Sequence, residues 1–160
     1  MTPGGQANKS GKILETTVEG TLVGHGYVNV GDQLQKKQRL ESLLTCTKYP
    51  KRYARQVHIG KGIYSTDIFV DFYIIDSILY PSGLIIECKW QNSSGSVDEK
   101  LPYVNSNIEN CYPAQTIVLI DGGGMKPGAI NWLKTQVSNN NNLLGVFELT
   151  SFIIWANKNL

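Results

Sequence analysis

Apolar residues recur along the chain first at helical spacing and then at strand spacing. Leu14, Val18 and Leu22 lie four apart and form one stripe, which predicts a helix over residues 10–23 ended by Gly24 and Gly26. Ahead of it, the Gly-, Ser- and Asn-rich first dozen residues predict a loose terminus, with residues 1–10 flexible. A second helix is expected over residues 32–45 with Asp32 as its N-cap, and Pro50 breaks the chain after it. Strand-like runs follow at 55–59, 66–75 and 83–90, the last two separated by the turn chemistry of Pro81, Ser82 and Gly83. Beyond a polar loop at 92–96 the pattern predicts a helix over 97–110, with Pro102 in its first turn or kinking it. A buried strand over 115–120, a helix over 126–137, a strand over 144–149 and a short helix from Thr150 complete the chain.

The resulting order is α-α-β-β-β-α-β-α-β-α. Hairpin-linked strands followed by strands separated by helices predict an α/β (α+β) fold, a mixed sheet covered by helices on both faces. A length of 160 residues fits one domain, residues 1–160, with enough chain to bury a core. Composition, 41% hydrophobic and 18% charged, excludes an intrinsically disordered chain. No apolar run approaches the roughly 20 residues needed to span a bilayer. The opening MTPGGQANKSGK has no apolar stretch after its charges, so the expectation is a soluble, cytoplasmic protein. Three cysteines, an odd number without a C-x-x-C pair, argue against a disulfide framework and a zinc knot. His25 and His58 are too few for most histidine-based metal sites, and both read as structural.

The candidate chemistry lies on the second and third strands. In LIIECKWQ, alternation places Leu84, Ile86, Cys88 and Trp90 on one face and Ile85, Glu87, Lys89 and Gln91 on the other. In TDIFVDFYIID, Asp71 shares a face with Asp67, Phe69, Tyr73 and Ile75, an acid among large apolar neighbours. An unpaired carboxylate there is costly to desolvate. A hairpin can bring Asp71 beside Glu87, and two adjacent carboxylates repel unless a cation holds them. Such a pair suits Mg2+, with Mn2+ able to substitute, because a hard cation takes one or two carboxylates plus waters and phosphate oxygens. Lys89 is then placed to orient or deprotonate a water, or to stabilise charge on a phosphate. A Glu–Lys pair on a polar strand face is also a common surface ion pair.

Charge is uneven. Residues 36–61 carry eight bases and one acid, Glu41, giving +7 against a chain total of +2 and leaving −5 elsewhere. This asymmetry points to a polyanion partner. Lys36, Lys37 and Arg39 are expected on the second helix. Lys51, Arg52 and Arg55 lie in a tyrosine-interleaved run, a composition suited to holding phosphates; Lys100 follows the active strand. The glycines 122–124 lack the spacing of a phosphate-binding loop and read as a turn before a helix. Trp132 and Trp155 read as core or interface anchors.

Asp71 near the end of one strand, followed across a turn by Glu87-Cys88-Lys89 in the next, resembles the PD-(D/E)XK, or restriction-endonuclease-like, nuclease superfamily. Val70 stands where the motif name has proline. The order of elements over residues 11–120 is similar to the family core α-β-β-β-α-β. ECKWQ from Glu87, DEKLPY from Asp98 and DGGGMKPGAINWLK from Asp121 resemble runs in small type II restriction enzymes. The resemblance implies a Mg2+-dependent endonuclease on double-stranded DNA, with Asp71, Glu87 and Lys89 catalytic. Asp71, Glu87 and the backbone carbonyl of Cys88 would be the metal ligands. It also implies a further acid from the first helix, Glu15, with Glu19 as runner-up, and a role for Gln91 at a phosphate or the attacking water. Cutting two strands with one site per chain favours a homodimer, or a partner subunit that supplies specificity. A repair, phage or junction-resolving nuclease and a non-catalytic nucleic-acid-binding subunit remain alternatives on the same core.

Overall fold

The computed structural model describes residues 3–160, with side chains from Gly11 onward. Helix α1 spans Pro3–Gly24 and therefore starts earlier than expected. Where a loose start is expected, the backbone of residues 3–12 is helical; residues 1–2 lie outside the described residues. Proline suits the first helical turn, where its missing N–H has no partner to lose. The stripe of Leu14, Val18 and Leu22 is fully buried, as their spacing requires.

A two-residue strand β1 (Val28–Asn29), too short to read from periodicity, follows. Asn29, not Asp32, organises the next turn, its Oδ1 accepting the N–H groups of Gly31 and Asp32. The expected helix over 32–45 is consequently shorter: a 3-10 turn, Lys36–Gln38, leads into α2 (Arg39–Thr45). Strands β2 (Lys51–Lys61), β3 (Asp67–Asp76) and β4 (Tyr80–Trp90) form an antiparallel meander. A 3-10 turn, Asp98–Lys100, opens α3 (Leu101–Cys111), with Pro102 in the first turn. Then come β5 (Gln115–Asp121), α4 (Pro127–Gln136), β6 (Leu143–Phe147) and α5 (Leu149–Asn159).

The six strands are ordered β1-β2-β3-β4-β5-β6, with β1 parallel to β2 and with β4, β5 and β6 mutually parallel. One face packs Phe72, Ile74, Leu84, Ile86, Ile117 and Leu119 against α1 and α5. The other packs Ala54, Val70, Tyr73, Ile85, Val118 and Ile120 against α2, α3 and α4. The mixed sheet between helical layers is thus as expected. Trp132 is not a core anchor but 39% exposed, whereas Trp155 packs between Phe147 and Phe152. Among the described residues no helix is long and apolar enough to cross a membrane.

Strict alternation fails where β2 and β3 face each other around Gln56. Ala54 opposes Tyr73 and Val57 opposes Val70, yet all four join the same core although three residues separate the pairs. The chain therefore changes face within this stretch, and Gln56 takes a left-handed backbone there, φ +48. Asp71 lies inside it, so its expected alignment with Phe69 and Asp67 is not a simple alternation.

Candidate active site

The paired residues of β3 and β4 run from Asp76↔Tyr80 to Phe72↔Ile86, and the next residue of β3 is Asp71. Its carboxylate occupies the place a ladder partner would take. Oδ2 accepts the N–H of Cys88 at 2.8 Å and Oδ1 accepts the Gln56 side-chain amide at 3.0 Å. In a strand, one residue's N–H and C=O point to the same side. The carbonyl of Cys88 is therefore directed toward the same gap as its N–H.

Glu87 and Lys89 project from the face of β4 that packs under α3 and α4. Glu87 is 3% exposed. Lys89 Nζ reaches its Oε2 at 3.1 Å, and the Tyr112 hydroxyl donates to its Oε1 at 2.6 Å. Burial, then the charge of Glu87, pushes the Asp71 carboxyl up to a pKa of about 7, against the opposing pull of Lys89 and of the Cys88 N–H. Burial works against the charge on Lys89, but Glu87 and Asp71 outweigh it and hold the ammonium above the usual lysine range. Burial, and then Glu87, raises the Tyr112 phenol far above the tyrosine range, so it remains a donor.

The helix acids belong to α1, which packs on the face of the sheet opposite α3 and α4. Arg55 Nη2 meets Glu15 at 3.5 Å and Arg55 Nη1 meets Glu19 at 2.9 Å, while Tyr53 donates to Glu19 at 2.7 Å. The negative charge of Glu15, after burial and Asp71, contributes to holding the Cys88 thiol protonated. Arg55 thus meets both acids of α1, and Glu19 is held in addition by Tyr53.

Gln91 is corrected. Its side-chain N–H donates to Gly124 O at 3.1 Å and its Oε1 accepts the Val97 N–H at 2.9 Å, so the amide clasps two loops. The glycines beside it are there for space. Gly122 has φ +104, and a side chain on Gly122 or Gly124 would collide with the backbone of residues 91–93.

The basic cluster also divides. Arg39 donates to the carbonyls of Leu34 and Arg55, and Arg52 to those of Leu43 and Tyr49, so both brace backbone. Lys51 covers the Tyr27 ring and donates to His25 O. Arg55 pairs with the two helix acids. Each of these four guanidinium or ammonium groups, expected at phosphates, has an internal partner. Lys36, Lys37 and Lys100 remain exposed, Lys37 pairing with Asp67 and Lys36 lying over Phe69. His58 bonds Asp67 and His25 bonds Asn157, consistent with structural roles.

Sequence reasoning missed Gln56 and Tyr112. Neither carries a motif, and both come to the acids from elements distant in sequence.

A family model described as a PD-(D/E)XK nuclease superfamily domain matches residues 6–160. Together with the split strands and the acid, acid and lysine they present, this match places the chain in the PD-(D/E)XK nuclease superfamily. No curated protein and no solved structure matches it. Nucleases of this superfamily generally depend on a divalent metal. The residues present fit such a cation. Among the described residues no three His, Cys, Asp or Glu side chains gather, so the donors are two carboxylates, each oxygen of which keeps a free lone pair. That set suits a hard cation that completes its shell with water and backbone or phosphate oxygens. Burial, and then the adjacent Glu87 charge, keeps the Asp71 carboxyl above its ordinary range even with Lys89 beside it.

Proposed function

We propose that the chain is a single-domain, Mg2+-dependent endonuclease that hydrolyses phosphodiester bonds of double-stranded DNA, of the restriction type. The observation that carries the hydrolytic reading is the meeting of Asp71, Glu87 and Lys89 where β3 and β4 part. Asp71 and Glu87 would hold the cation, and the Cys88 carbonyl is directed toward the same gap. A bound divalent cation supplies Lewis-acid chemistry at a phosphate oxygen. Lys89 stands beside Glu87 with its ammonium retained, which suits orienting the attacking water and balancing charge that develops on the phosphate. Glu15 adds negative field from α1, and the exposed Lys36, Lys100 and Lys37, the last paired with Asp67, are cations placed to meet a DNA backbone.

Duplex DNA as substrate rests on the resemblance of ECKWQ, DEKLPY and the Asp121 run to small restriction enzymes. One site per chain and two strands to cut support a homodimer, or a partner subunit that supplies specificity. The test is incubation of supercoiled plasmid with and without Mg2+. Discrete fragments identify a site-specific enzyme and a smear a nonspecific one. An inert wild-type protein, or cleavage that survives Asp71→Ala and Lys89→Ala, would refute the reading.

A further inference from the structure

We propose that Tyr112 is a positioning residue of the active site, its hydroxyl fixing the Glu87 carboxylate in the orientation that receives the cation. This deepens the proposed function and rests on it.

The geometry is specific. The 2.6 Å separation between the Tyr112 hydroxyl and Glu87 Oε1 falls in the range of charge-assisted O–H···O⁻ bonds, roughly twice as strong as neutral ones. Both partners are buried, Glu87 at 3% and Tyr112 at 9% exposure, so water does not compete freely for the bond. Lys89 holds the opposite oxygen, Oε2, and the two donors together remove the rotational freedom of the carboxylate. Lys89 alone would leave the carboxylate free to pivot about one contact.

Tyr112 is itself fixed from both sides. It caps α3, donating its backbone N–H to Asn107 O at 3.1 Å, while Asn142 Nδ2 reaches its carbonyl at 3.5 Å. The Asn107 side chain in turn accepts the Ile63 N–H, at the tip of the β2–β3 hairpin, and donates to Tyr103 O. The hydroxyl is therefore delivered by a cap, not by a loop that could swing away. Gln56 plays the matching part for Asp71, whose Oδ1 it holds at 3.0 Å. Hydrogen bonds to a ligating carboxylate typically change metal affinity or activity 10–100-fold when removed.

The experiment compares Tyr112→Phe with Tyr27→Phe. Both delete a buried tyrosine hydroxyl from a carboxylate, but Tyr27 bonds Asp76 at the far end of β3. Mg2+ affinity is measured by calorimetry without DNA, kcat and KM on plasmid, and melting temperature on the same samples. The expected result is a loss of about 10-fold or more in Mg2+ affinity and in kcat for Y112F, with KM for DNA unchanged and neither effect in Y27F. In a Glu87→Gln background, adding Y112F should change Mg2+ affinity no further. Should Y112F prove too unstable to assay alone, the comparison of E87Q with E87Q/Y112F decides, since a further loss there overturns the proposal. A Y112F protein that binds Mg2+ and turns over like wild type overturns it and leaves the nuclease reading standing. A wild type that neither binds the cation nor cuts DNA overturns both.

Discussion

Asp71 Oδ2 takes the backbone N–H of Cys88 at 2.8 Å, at the point where β3 and β4 stop pairing. A side chain thereby replaces a ladder partner, and the strands open by one carboxylate. The acid is held against the active strand by main chain, so its position does not depend on the identity of residue 88.

The first prediction concerns charge. In metal-free protein the Asp71 carboxyl titrates at about 7 in place of the ordinary 3.8. Between those values the folded state binds more protons than the unfolded one, so stability falls as pH rises from about 4 to 7. Asp71→Asn should flatten this slope and melt at or above the wild-type temperature at pH 7.5, while cleavage falls below detection. Thermal melts from pH 4 to 8 in EDTA check it; an unchanged slope in D71N contradicts it.

Lys89 separates binding from chemistry. Its ammonium neutralises part of the carboxylate pair and competes with a cation. Lys89→Ala removes a competing charge together with one of the two donors that hold Glu87, so Mg2+ binding should stay near wild type while cleavage falls by on the order of 10²–10⁴. Calorimetry beside a plasmid assay reads both, and weaker Mg2+ binding in K89A would count against it.

The cations of the basic segment should sort by their partners. Arg52→Ala leaves the carbonyls of Leu43 and Tyr49 without their donor and should cost about 1–3 kcal/mol of stability with no change in the salt dependence of DNA binding. Lys100→Ala should leave stability within about 0.5 kcal/mol. It should reduce the slope of log affinity against log salt by about 0.9 if Lys100 meets a phosphate. Denaturant melts and salt titrations distinguish the two.

Glu15 and Glu19 divide in the same way. Glu19→Gln weakens contacts to Arg55 and Tyr53 and should lower stability by about 1 kcal/mol. Glu15→Gln, whose contact is one 3.5 Å ion pair, should barely shift the melt and act on cleavage. An E15Q enzyme as active as wild type would remove Glu15 from the site.

Gly122→Ala should lower the melting temperature by several degrees, because φ +104 and the backbone of Gln91 leave no place for a methyl group. Gly123→Ala meets no neighbour and, with φ +73, should cost less.

The sequence by itself determined the alternation of β4, the buried stripe of α1, the element order apart from the two-residue β1, and the pairing of Glu87 and Lys89 two residues apart on one face. These are local, because they follow from strand and helix periods that each segment carries alone. Asp71 was legible as an acid among apolar neighbours, but its alignment was not, since the face change at Gln56 interrupts the alternation. Only the tertiary structure decided which cations are free, because Arg39, Arg52 and Arg55 find carbonyls and carboxylates distant in sequence. The same holds for Tyr112 and Gln56 at the acids and for the Gln91 clasp. A hydrogen bond between elements depends on how layers pack, and a residue's type alone does not say whether its partner is solvent, backbone or a catalytic carboxylate.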